Sequence, residues 1–181
     1  MRELALNILD IAENSVKAGA TLVRISVRAE RGLLTIEIAD DGCGMDAEFL
    51  KRVTDPFTTT RTTRKVGMGI PLFKMAAEMA GGTFGIESEK GKGTTVRATF
   101  ELDHIDRAPL GDLADTVVTL IGGGCKSDFR FEIGTEKGCF EFDTRELKAE
   151  LDGVDISEPD VLVFVRDMIK ENLMDIGGER L

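Results

Sequence analysis

Asp40, Asp41 and Asp46 crowd around Gly42 and Gly44 in "IADDGCGMDAEFL", residues 38–50, directly after a run in which Leu34, Ile36 and Ile38 alternate. Asp40 keeps the parity of those apolar residues, so its carboxylate points toward the core side of a strand. A buried carboxylate without partners is costly, so something must meet its hydrogen-bonding capacity. The two glycines let the backbone approach a flat ligand closely, and Met45 follows them. Upstream, Asp10 and Asn14 lie one helical turn apart and Lys17 a further turn along, gathering a carboxylate, an amide oxygen and an ammonium on one face. Such a trio suits a hydrated Mg²⁺ and phosphate oxygens, because Mg²⁺ prefers hard oxygen ligands and keeps much of its water. The same trio equally suits a solvated polar face. Downstream, Gly67, Met68 and Gly69 stand directly before a helix, whose first amides and positive dipole end favour an anion. "GKGTT", residues 91–95, opens a strand and carries Thr94. Each glycine pair alone is an ordinary turn; their joint order and spacing are far more specific.

The elements that must position these groups are visible in the apolar spacing. Leu4, Ile8, Ile11 and Ser15 form a helical stripe over residues 3–18, stopped by Gly19. Val23, Ile25 and Val27, a break at Arg31-Gly32, then Leu34, Ile36 and Ile38 read as a β-hairpin. Residues 46–53 read as a short helix and 55–69 as a loop. Pro71 suits the first turn of a helix running to about Ala80, and "TFGIES" and "TTVRATFEL" read as strands around a glycine turn. This order predicts a two-layer α/β sandwich (α+β), with one mixed sheet and helices on one face. From residue 103 the pattern gives a helix ended by three glycines, a hairpin in "DFRFEIGTEKGCFEFD" and an amphipathic helix over 159–174. The expectation is a first domain over 1–102 and a small α/β accessory module over 103–181 packed on it.

Composition narrows the chemistry. With 33 acidic and 23 basic residues the net charge of the 181-residue chain is -10, which repels phosphate backbones and anionic membranes. Neither nucleic acid nor a membrane is expected as a partner. The acids and Asn in "MRELALNILDIAENS" do not suit a secretion signal, so a cytoplasmic location is expected. The three cysteines lack metal-type spacing and read as reduced thiols, and the single His104 rules out a histidine dyad. A P-loop is absent: Lys92 is followed by Gly93, and Lys126 is preceded by Cys125.

Taken together, the motifs resemble the ATPases shared by DNA gyrase, the ninety-kilodalton heat-shock chaperone, sensor histidine kinases and MutL mismatch-repair proteins, the GHKL or Bergerat-fold family. "DIAENSVKAGAT" resembles the family's Asn box, "DDGCGM" its first glycine box and "DPFTTTR" the segment with Phe57 and Thr58 seen in histidine kinases. "GMG" and "GKGTT" are similar to its second and third glycine boxes. The resemblance implies that ATP and Mg²⁺ are bound. It implies that Asp40 accepts a hydrogen bond from the adenine amine, Gly44 passes under the ring edge and Thr94 shares the water network. Asn14 would hold Mg²⁺, Lys17 would meet phosphate, and Gly67 to Gly69 would line the triphosphate. Arg61, Arg64 and Lys65 would close on the γ-phosphate, although solvated loop charge is the plainer account of at least one of them. Where efficient members carry a glutamate base, four residues before the Asn, this chain has Asp10, one methylene shorter. Reach to the attacking water is thereby reduced. No helical hairpin with a phosphoacceptor His precedes the motifs, a pattern that resembles the anti-sigma serine kinases. The implied function is a Mg-ATP-binding regulator that phosphorylates or sequesters a separate protein, with a homodimer left open. A slow ATPase that moves the loop and the C-terminal module is the alternative. A third is an interaction protein with a structural nucleotide.

Overall fold

A computed structural model of the chain describes residues 3–53, 68–178 and 181. Among them the first element is α1 (Leu4–Lys17), which buries Leu4, Ile8, Ile11 and Ser15 as the spacing predicts. It is followed by the hairpin of β1 (Leu22–Glu30) and β2 (Leu33–Asp40). Arg31 and Gly32 turn that hairpin with φ of 53° and 77°. Two successive positive φ values make the turn whose twist matches antiparallel strands. Next come α2 (Ala47–Val53), α3 (Gly69–Met79), and the hairpin of β3 (Phe84–Glu89) and β4 (Gly93–Glu101). Then follow α4 (Leu113–Gly122), β5 (Asp128–Thr135), β6 (Gly138–Asp143), α5 (Thr144–Glu150) and α6 (Pro159–Asp175). The sequence pattern did not reveal α5. Its two turns carry only Leu147 and Ala149 as apolar side chains, too few for a stripe, and it starts from Asp143, whose carboxylate accepts the Arg145 amide at 2.9 Å.

The strands form one six-stranded sheet in the order β3-β4-β2-β1-β5-β6. All neighbours are antiparallel except β1 and β5, which pair parallel from Leu22↔Asp128 to Ala29↔Thr135. Residues 128–143 therefore continue the sheet past the edge that the first hairpin would otherwise leave open. One sheet face is apolar: Val23, Ile25, Val27, Leu34, Ile36, Val96, Phe100, Phe129 and Phe131 are buried. The opposite face carries Arg24, Arg28, Arg97 and Arg130 in exposed positions. Leu4 and Ile8 of α1, Phe73 and Ala77 of α3, and Val117 and Leu120 of α4 cover the apolar face in a single core. Val165 and Ile169 of α6 join it, and Lys170 reaches Asp112 at 3.0 Å. The two-layer α/β arrangement is as the sequence predicts, but the strands of residues 1–102 are all antiparallel, and the sheet is mixed only through β5, which the sequence pattern assigned to the C-terminal module.

The connection between the two halves also holds α1. Its first amides, which have no partner inside the helix, are taken by Pro109 and Leu110: Leu4 N donates to the Pro109 carbonyl at 2.9 Å and Ala5 N to that of Leu110 at 2.8 Å. α1 is thus fixed at one end by the chain that leads into α4, and at the other it meets the end of β2.

Candidate functional site

The end of β2 brings Asp40 opposite Thr94 of β4 and beside the last turn of α1. Its half-buried carboxylate has a donor on each oxygen. Ser15 Oγ donates to Oδ2 at 2.6 Å and the Gly42 amide to Oδ1 at 2.9 Å. These two groups meet much of the hydrogen-bonding demand that the inward parity of Asp40 creates. Neighbouring Asp41 does a different job. Its carboxylate accepts the amides of Thr21 at 2.7 Å and Leu22 at 2.9 Å, and the Thr21 hydroxyl, tying the loop to the start of β1. The Leu22 amide, then the Thr21 hydroxyl, hold the Asp41 carboxyl below its ordinary range.

The glycines are needed for close approach. A Cβ on Gly42 would lie 3.0 Å from Asp40 Oδ1 and 3.1 Å from the Ala18 Cβ. Gly44 has φ of 62°, and a Cβ there would lie 2.0 Å from the Glu89 carbonyl oxygen. Gly44 thus lets the loop lie directly on the β3–β4 turn. That contact is reinforced on both sides: Gly91 N donates to the Cys43 carbonyl at 2.8 Å, and Cys43 N to that of Ala18 at 3.0 Å. Ser88 completes the corner. It accepts the Met45 amide at 2.8 Å, donates to the Gly93 carbonyl at 2.9 Å and lies 2.8 Å from Thr94 Oγ1.

The sequence reading did not assign chemistry to Ser88 or Ser15. The available signal was the one that singled out Asp40, a polar residue on an apolar parity. Ser88 follows Phe84 and Ile86 on the inward side of β3, and Ser15 ends the buried stripe of α1.

Asp10 is exposed and sits against the start of α3, where a Cβ added to Gly69 would lie 3.1 Å from the Asp10 Cβ. Gly69 is buried, Met68 before it is exposed, and no side chain caps this end of α3. Its first amides have no side-chain cap, and the positive end of the helix dipole there favours an anion such as a phosphate. Asn14 is half-buried one turn along α1 from Asp10. Lys17 is directed elsewhere: its ammonium pairs with Glu13 at 3.1 Å on the exposed side of α1. Asp40, Gly42, Gly44, Met45 and Thr94 are therefore gathered at one corner, and Asp10, Gly69 and Asn14 along the adjoining helix face. Phe57, Thr58, Arg61, Arg64, Lys65 and Gly67 lie outside the described residues. Among the described residues, no helix is long and apolar enough to cross a membrane.

Comparison with known proteins agrees with this geometry. The family model of histidine kinase-, DNA gyrase B- and HSP90-like ATPases matches residues 1–104. A putative sensor protein of Shewanella frigidimarina is 31% identical over 107 residues, spanning 59% of this chain and 16% of that protein. Sensor histidine kinase AruS of Pseudomonas aeruginosa is 33% identical over 112 residues, spanning 56% of this chain and 11% of that protein. Sporulation kinase E of Bacillus subtilis is 30% identical over 99 residues, spanning 55% of this chain and 13% of that protein. The match thus covers less than a fifth of each of these relatives. The N-terminal domain of a DNA repair protein superposes with a TM-score of 0.52 at 14% identity, over 79% of this chain and 52% of that one, a likeness of fold. The chain belongs to the histidine kinase-, DNA gyrase B- and HSP90-like ATPase family, and its first 104 residues are an ATPase domain of the histidine kinase type.

Proposed function

We propose that the chain binds Mg-ATP between α1, the end of β2 and the start of α3, and that the γ-phosphate goes to a separate protein. The observation that carries this reading is the Asp40 carboxylate, held by Ser15 and Gly42 at the mouth of a glycine-lined corner. An acceptor held there suits the exocyclic amine of adenine. Gly42 and Gly44 let the loop pack closely on Ala18 and on the Glu89 carbonyl, which holds the Asp40 corner in place. The donor set fits Mg²⁺: the Asn14 amide and the Asp10 carboxylate are hard oxygen ligands one helical turn apart. Bound there, the ion would offset charge on the phosphate oxygens. The uncapped amides at the start of α3 suit those same oxygens. The relatives named as kinases support transfer to protein.

The weak point for hydrolysis is Asp10. A carboxylate one methylene shorter than glutamate holds a water less well, while transfer of the γ-phosphoryl group to a protein side chain, with ADP as the leaving group, needs no attacking water. Slow hydrolysis is the second reading, favoured by the placement of Asp10 directly against the start of α3. Following the γ-phosphate of labelled Mg-ATP with purified protein separates them. The proposal expects bound nucleotide and almost no free phosphate, with label appearing on protein when a lysate fraction supplies the acceptor. Steady release that Asp10→Asn abolishes would overturn it in favour of an ATPase.

A further inference from the structure

Resting on that reading, we propose that Ser15 is a positioning residue: it fixes Asp40 as an acceptor and thereby sets the preference of the site for 6-amino over 6-oxo purines. Ser15 is 4% exposed. Its single hydroxyl proton has two acceptors within reach, Asp40 Oδ2 at 2.6 Å and the Ile11 carbonyl at 3.3 Å. The shorter bond is the charge-assisted one, and a bond back to the carbonyl four residues earlier is the weaker alternative, so the proton belongs to Asp40.

With Gly42 N on Oδ1 and Ser15 on Oδ2, the carboxylate cannot rotate without losing both bonds. Each oxygen then keeps lone pairs in a fixed direction, which match an N–H donor and repel a carbonyl oxygen. Ser15 itself cannot turn to donate to a 6-oxo group while its proton is committed. Discrimination therefore comes from both a fixed acceptor and an absent donor. Ser15 touches the carboxylate, and only through it acts on the base.

The test is a set of ADP and IDP titrations by calorimetry, with Mg²⁺ present, on the wild type, Ser15→Ala, Asp40→Asn and the double variant. Urea unfolding of each reports whether it is folded. We expect Ser15→Ala to weaken ADP about tenfold, the scale of one hydrogen bond to a charged group, while IDP affinity barely moves, so the preference narrows. In the Asp40→Asn background the same substitution should cost nothing further. Should Ser15→Ala not fold, Ser15→Cys preserves the bulk, replaces the donor by a weak one, and should show the same narrowing. Equal losses of ADP and IDP, or unchanged ADP affinity, would overturn the role of Ser15 while leaving the nucleotide reading intact. Absence of ADP binding by the wild type would overturn both.

Discussion

Asp40 is where the sequence pattern and the hydrogen bonds meet. It keeps the inward parity of β2, and the cost of that placement is offset by Ser15 and by the Gly42 amide two residues along. Its neighbour Asp41 points the other way and works for the fold. The Leu22 amide and the Thr21 hydroxyl hold its carboxyl below the ordinary range. Because the folded value is depressed, the stabilisation is fully present above the unfolded carboxylate range of about 4. It is lost as pH falls through the lowered folded value. Asp41→Asn should therefore reduce stability at pH 7 and flatten the acid limb of a stability-against-pH curve; an unchanged limb would contradict the assignment. At this scale Asp40, Asp10 and Asn14 were legible from residue type and spacing. Ser15 and Ser88 were not assigned because a serine on an apolar stripe is an ordinary core occupant. Only the partner across space, Asp40 or Thr94, reveals the role.

The elements of the first half follow from local signals, since the hairpins close over short turns and α1 and α3 carry apolar stripes ended by glycine. α5 escaped because its residues carry only Leu147 and Ala149 as apolar side chains, whereas α2, of the same length, carries Phe49, Leu50 and Val53. The parallel pairing of β5 with β1 also escaped, because no local rule links Leu22 to Asp128 across the chain. The loop of residues 41–45 depends on glycine at particular places, and two substitutions distinguish need from tolerance. Gly44→Ala places a Cβ 2.0 Å from the Glu89 carbonyl at φ of 62°. It should cost about 2 kcal/mol or more in urea unfolding and weaken nucleotide binding. Gly85→Ala, in the interior of β3, meets nothing within 4 Å and needs no unusual φ. It should be neutral or slightly stabilising. Equal costs at the two positions would contradict the view that Gly44 is required by close approach.

Over the whole molecule, one sheet and one core run from α1 to α6, and the chain leading into α4 takes the first amides of the helix that carries Asp10, Asn14 and Ser15. We therefore expect residues 103–181 to unfold together with the ATPase domain. Phe131 is buried between Phe129 and Phe142, with ring centroids 6.1 Å away on each side. Phe131→Ala should cost about 3–5 kcal/mol and lower a single thermal transition that nucleotide raises again. Two separate transitions, only one of them responsive to nucleotide, would contradict this coupling. All of this hangs on the adenine nucleotide, so the decisive measurement is titration of wild type and Asp40→Asn with Mg-ATP in the calorimeter. Saturable binding near one nucleotide per chain, strongly weakened in a variant whose urea midpoint is unchanged, is the predicted result. Full affinity in Asp40→Asn would contradict it.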